Sequence, residues 1–140
     1  MTNDDKPEDK HEGSRFTVIH CNGALDSYTD ALNHVNAKKR NAFTRAMIQQ
    51  IARLAEGHRM SKANFPQEGG LPKRKGQQRV KKFNAFKRIP IRGYCWLSER
   101  YKHTYFISHY VFKDYDDLKK SDTNRVGTNW QRIEEKGDER

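Results

Sequence analysis

Two adjoining stretches, IPIRGYCWL (89–97) and YKHTYFISHYVF (101–112), decide the fold of this chain. Both are dense in aromatic and β-branched residues, which suit a pleated, half-buried surface. Pro90 sits at the start of the first, where a strand tolerates it. Glu99, Arg100 and their neighbours make the turn between the two, so the pair reads as a hairpin. In the first strand Arg92, Tyr94 and Trp96 share one face, and Ile91, Gly93, Cys95 and Leu97 share the other. The second set is small and apolar and is expected to face the core. On the next strand Tyr105, Ile107, His109 and Val111 alternate with Phe106, Ser108, Tyr110 and Phe112. Both sets are fairly apolar, so periodicity does not decide between His109 and Tyr110 as the outward residue.

Working outward, RVKKFNAF (79–86) is a third β-capable run immediately upstream. Met60 to Gly76 holds Pro66, Gly69, Gly70, Pro72 and Gly76 and reads as a loop. Before it, a helix fits Lys38 to Glu56. Phe43, Met47, Ile51 and Leu54 form its apolar stripe, Ile48 and Ala55 widen it, and Gly57 is placed to cap its end. A shorter helix carries Tyr28, Ala31, Leu32 and Val35, with Ser27 and Asp30 spaced as a capping box. Arg15 to His20 is a short strand turned by Cys21-Asn22-Gly23. Downstream, Asp114 to Lys120 is a charged turn. Asp122 is expected to cap a last helix in which Val126, Trp130 and Ile133 recur. The order predicts an α+β domain: an N-terminal strand, a helical hairpin, a three-stranded antiparallel β-meander and a C-terminal helix. The helices are expected on one face of the sheet, leaving the other for a ligand. Residues 1–14 lack hydrophobic periodicity and are expected to be a disordered acidic tail, followed by a single domain over 15–136.

Composition narrows the function. The chain has 140 residues, a net charge of +10 and a mean hydropathy of −1.14. No run approaches the ~20 apolar residues of a membrane helix, and the N-terminus lacks the pattern of a secretory signal. Cys21 and Cys95 form no C-x-x-C pair, which excludes a zinc ribbon or finger. They read as reduced core thiols of a cytoplasmic protein. The charge is uneven: residues 16–113 carry nineteen bases against five acids, while both ends are slightly acidic. A basic body of this kind attracts a polyanion.

Residues 73–92 hold nine cations and no acid: Lys73, Arg74, Lys75, Arg79, Lys81, Lys82, Lys87, Arg88 and Arg92. Phe83 and Phe86 lie between them. Cations on adjoining strands can hold phosphates, and aromatic rings can stack on bases. Lys102 and His103 extend the candidate RNA-binding set, and His109 lies on the next strand. No serine elbow, P-loop, H-E-x-x-H or EF-hand spacing is present. The body's acids, Asp26, Asp30, Glu56, Glu68 and Glu99, are dispersed, which argues against a carboxylate-held Mg²⁺ nuclease site. RNA can be cut without a metal, because its 2′-hydroxyl attacks the adjacent phosphate while Lys, Arg, His and Tyr stabilise charge and move protons.

Over residues 16–135 the chain resembles the RelE/ParE toxin superfamily, and most closely its HigB-like branch. YTDALNHVNAKKRNAFTRAMIQQIARLAEG (28–57) is similar to that branch's helical hairpin, including the closing Leu-Ala-Glu-Gly. VKKFNAFKRIPIRGY (80–94) is similar to its strands, with Arg92 at the family's arginine. FISHYVFKDYDDLKKSD (106–122) is similar to its strand, turn and last-helix start. The chain departs from the pattern where Lys113-Asp114 replaces a Lys-Lys pair, displaced here to Lys119-Lys120, and where Asp122 replaces a proline. The resemblance implies a toxin of a type II toxin–antitoxin pair, an endoribonuclease that cleaves mRNA on the ribosome without metal or cofactor. Its partners would be a cognate antitoxin, bound as a hetero-oligomer, together with mRNA and the ribosome, with no membrane involved. Arg92 would hold the scissile phosphate beside Lys82 and Lys87, with His109 or Tyr110 and Lys113 for acid/base or transition-state contacts. The alternatives are a ParE-like toxin that inhibits DNA gyrase without catalysis, and a non-catalytic nucleic-acid-binding module.

Overall fold

The computed structural model describes residues 6–74, 76–113, 118–138 and 140. Its elements follow in the order β1 (Lys10–Glu12), β2 (Thr17–His20), α1 (Ala24–Leu32), α2 (Arg40–Ala55), β3 (Gln67–Gly70), β4 (Lys82–Arg88), β5 (Ile91–Leu97), β6 (Thr104–Phe112) and α3 (Lys120–Trp130). A π-helical turn, Gln131–Glu135, continues α3. The strands form one six-stranded mixed sheet in the order β1-β2-β6-β5-β4-β3. Among the described residues only the β2–β6 pairing is parallel. The architecture is therefore α+β, with three helices on the sheet.

Two strands fall where the sequence predicts none. Lys10–Glu12, inside the expected disordered tail, pairs with β2. Behind it, Gly13 lies so close to the end of α2 that a Cβ would sit 2.4 Å from the Ala55 backbone. Gln67–Gly70, inside the expected loop, pairs with β4. Its composition is poor in strand formers, so the pairing rests on backbone bonds from Leu71 N–H to Lys81 O and from Ala85 N–H to Pro66 O, 2.7 and 3.0 Å. Gly69 lets it pass the Phe83 ring, which a Cβ would approach to 2.8 Å.

The helical hairpin forms from the expected stripe. Met47, Ile51, Leu54 and Ala55 are buried and Phe43 is partly buried. Gly57 ends α2 at φ +82°, the left-handed conformation that glycine adopts without a Cβ penalty. His58 N–H then closes on Arg53 O and Gly57 N–H on Leu54 O. Ser27 is no helix cap: α1 begins at Ala24, and Ser27 Oγ donates to Ala24 O and accepts from Tyr110 N–H. Asp122 is no cap either, since α3 begins at Lys120 and the Asp122 carboxylate turns to His109.

The largest departure concerns the second sheet face, which the sequence reading leaves open to a ligand. Two apolar cores exist, one on each face. Tyr28, Met47, Ile51, Phe86, Ile91, Cys95 and Ile107 pack under α1 and α2. Phe83, Ala85, Tyr94, Trp96, Phe106, Val126, Trp130 and Ile133 pack under α3 and its π-helical turn. The Val126-Trp130-Ile133 stripe is the cause: it needs an apolar partner, and that face supplies one. Among the described residues no helix is long and apolar enough to cross a membrane.

Candidate functional site

The pleat places Arg92, Tyr94 and Trp96 together, as the sequence predicts, but under α3. Arg92 is only 1% exposed. Lys87 stands directly opposite Arg92 on β4, and Val111 stands opposite it on β6. These three form a row across the sheet that reaches a cavity wall at Val111. The cavity, of about 440 Å³, lies at the C-terminal end of β6 between α1 and the first turn of α3. Lys113, Lys119 and Arg125 are its cations, Asp30 and Asp122 its acids, and His34 adds an imidazole to the lining. The N-terminal end of α3 adds a positive end to the same place.

A bulge in β6 settles the ambiguity between His109 and Tyr110. Tyr94 pairs with His109 while Cys95 pairs with Ile107, so Ser108 is an extra residue and the alternation shifts there. Tyr110 consequently faces the hairpin core and His109 faces α3, where its ring lies 5.3 Å from that of Tyr94.

Neither side chain presents its polar atoms to solvent. His109 Nε2–H donates to Asp122 Oδ1 at 3.1 Å, and His109 Nδ1 accepts from Ser108 Oγ at 2.8 Å. Asn129 Nδ2 donates to the same hydroxyl at 2.8 Å. Every donor in this Asn129–Ser108–His109–Asp122 chain has an acceptor when the imidazole is neutral. Burial lowers the His109 pKa, and Asp122 only partly offsets this. The chain has the residue types of a hydrolase triad, but Ser108 and His109 are fully buried. It fastens α3 to β6.

On the other face the Tyr110 hydroxyl donates to His20 Nε2 at 2.7 Å, and His20 Nδ1–H donates to Asp9 O. Burial lowers His20 to about pKa 4 and raises Tyr110 well above its ordinary value.

The remaining predicted site residues are spread over the molecule. Lys82 lies at the opposite end of β4 from Lys87, roughly 17 Å along the strand at 3.4 Å per residue. An odd spacing also puts it on the opposite face. It does not join the Arg92 row. Lys102 and exposed His103 occupy the β5–β6 turn, also at the far end. Lys81 is held there by Glu99, Nζ to Oε1 at 2.6 Å. Arg74 lies over the Trp130 ring at 5.3 Å and 3.6 Å from Glu134, so it serves the α3 core. Lys73, Arg79 and Arg88 are exposed, and Lys75 lies outside the described residues. Of the six predicted catalytic residues, only Tyr110 and Lys113 line the cavity, and Lys113 is 2% exposed.

The sequence reading missed His34, Lys119 and Arg125. His34 follows the end of α1, Lys119 immediately precedes α3 and Arg125 lies in its second turn, and no local pattern links them. Cys21 and Cys95 are buried free thiols, and desolvation raises Cys21 to about pKa 12. Among the described residues no three His, Cys, Asp or Glu side chains converge as a metal-ligating group. Compared with known protein families, curated proteins and solved structures, the chain matches none of them.

Proposed function

We propose that the protein is an RNA-cleaving toxin of a type II toxin–antitoxin pair, acting without a metal. The reading rests on the resemblance over residues 16–135 and on one structural observation. The Lys87–Arg92–Val111 row leads to a cavity where Lys113, Lys119, Arg125 and His34 meet. In this proposal the RNA backbone enters that cavity and its 2′-hydroxyl attacks the neighbouring phosphorus. Cations stabilise the extra negative charge on the phosphorane, and His34 is placed to exchange a proton with the attacking or leaving oxygen. The family arrangement of N-terminal strand, helical hairpin, meander and C-terminal helix forms part of the proposal. So do the ribosome as the place of action and an acidic antitoxin covering the cationic end.

A second reading, an RNA-binding domain without cleavage, is favoured by the burial of Arg92 and by the use of both His109 nitrogens in an internal chain. Incubating the protein with 5′-labelled RNA in excess EDTA separates the two. Fragments ending in a 2′,3′-cyclic phosphate support the toxin reading, and Lys113→Met is expected to slow their formation roughly 10²-fold. RNA that is bound but left intact, both alone and in a translating extract, refutes cleavage and leaves the binding module. Intact mRNA with accumulated DNA breaks in cells would point to a gyrase poison.

A further inference from the structure

A second cavity, of about 320 Å³, lies on the α2 side of the sheet, away from the Arg92 row. Arg53 from the end of α2, Arg59 from the loop that follows and Arg88 from the end of β4 all line it. Ser61, Asn64 and Gln50 complete its polar wall, and no acid lines it. Arg88 and Lys87 are neighbours on β4, so the pleat sends one cation to each side of the sheet end.

Three guanidinium groups around one cavity make it locally positive, although each is exposed enough for solvent to screen their mutual repulsion. Among the described residues none of the three forms an ion pair with an acid. Donors of this kind on an acid-free wall suit a tetrahedral oxyanion, which guanidinium groups grip through paired N–H bonds. The volume corresponds to about ten waters, enough for a phosphate with an attached sugar.

We propose that Arg53, Arg59 and Arg88 form a phosphate-binding site, distinct from the cavity assigned to cleavage. The chemistry is that of a phosphate ester carried on a nucleic-acid strand, or of a free phosphate or pyrophosphate. The site's existence does not depend on cleavage at the other cavity.

The test uses the full chain and its Arg53→Gln/Arg59→Gln variant, which replaces two exposed or loop-borne cations by polar residues. Unchanged circular dichroism and melting temperature without ligand establish that the variant is folded. Anisotropy with a labelled single-stranded RNA and melting with pyrophosphate at constant ionic strength are then measured. A drop of tenfold or more in RNA affinity supports a strand-borne phosphate. The slope of log affinity against log salt is then expected to shrink by about 1.4, as for two lost phosphate contacts. A pyrophosphate-induced rise in melting temperature that the variant loses, with RNA affinity unchanged, supports a free phosphate instead. Equal RNA affinity and equal pyrophosphate response in the two proteins overturn the site. Loss of RNA cleavage by Lys113→Met with RNA affinity intact would report on the other cavity alone.

Discussion

Replacing Glu134 by alanine is expected to unfold the molecule more readily than any surface change, because this buried carboxylate gathers the β5–β6 turn onto the C-terminal segment. It accepts from Ser98 Oγ at 2.6 Å, Trp96 Nε1 at 3.2 Å, Glu99 N–H at 2.9 Å and Arg100 N–H at 3.0 Å. Arg74 lies 3.6 Å away. Alanine leaves four donors without their acceptor and the Arg74 guanidinium without its ion-pair partner. At about 1 kcal/mol for each stranded donor the loss is roughly 4 kcal/mol, with water at the half-buried turn recovering part and the stranded Arg74 adding some. For a chain of this length that is a fall in melting temperature of about 12 °C. Glu134→Gln keeps the shape and one acceptor oxygen, but turns an NH₂ toward the other donors, and about half the loss is expected. Urea unfolding followed by tryptophan fluorescence measures both, since Trp96 is a direct partner. An alanine variant within 1 kcal/mol of the parent would show that the turn holds without the carboxylate and would refute the reasoning.

Acid is expected to weaken the fold through His20. Its folded pKa of about 4 lies below the ordinary 6.5, so the unfolded chain takes up the proton first and stability falls as pH drops through that window. Between pH 7 and pH 5 the linkage amounts to about 2 kcal/mol, with His109 acting in the same direction. His20→Gln should flatten the slope of stability against pH, and an unchanged slope would assign the acid sensitivity elsewhere. Gly93→Ala puts a methyl group 2.6 Å from the Tyr110 ring, which is itself held against Tyr28 and His20. A loss of roughly 1–3 kcal/mol is expected in thermal or urea unfolding. Neither Cys21 nor Cys95 should react with a thiol reagent at pH 8 until the protein is denatured, because both are buried and burial holds both thiols protonated. Rapid labelling of the native protein would contradict the packing of both cores.

Near-neighbour periodicity by itself determined much of this protein. The aromatic and β-branched runs over 89–97 and 101–112 mark β5 and β6, since alternate residues must fit a pleat. The Met47-Ile51-Leu54 spacing and Gly57 mark α2 and its end, and Val126-Trp130-Ile133 marks α3. The positive body is equally plain in the sequence, because net charge does not depend on folding. Tertiary structure alone decided which of these features meet. The Ser108 bulge is one inserted residue in a ladder, visible only once β5 is laid beside β6, and it reverses the sides of His109 and Tyr110. The apolar stripe of α3 announces burial without saying against what. Its choice of the second sheet face turns Arg92 from an expected surface cation into a buried one. Gln67–Gly70 becomes a strand through backbone bonds to β4, which side-chain pattern does not encode. His34, Lys113, Lys119 and Arg125 meet at one cavity because α1 and α3 pack against opposite sides of the same strand end, a long-range arrangement that no window of sequence contains.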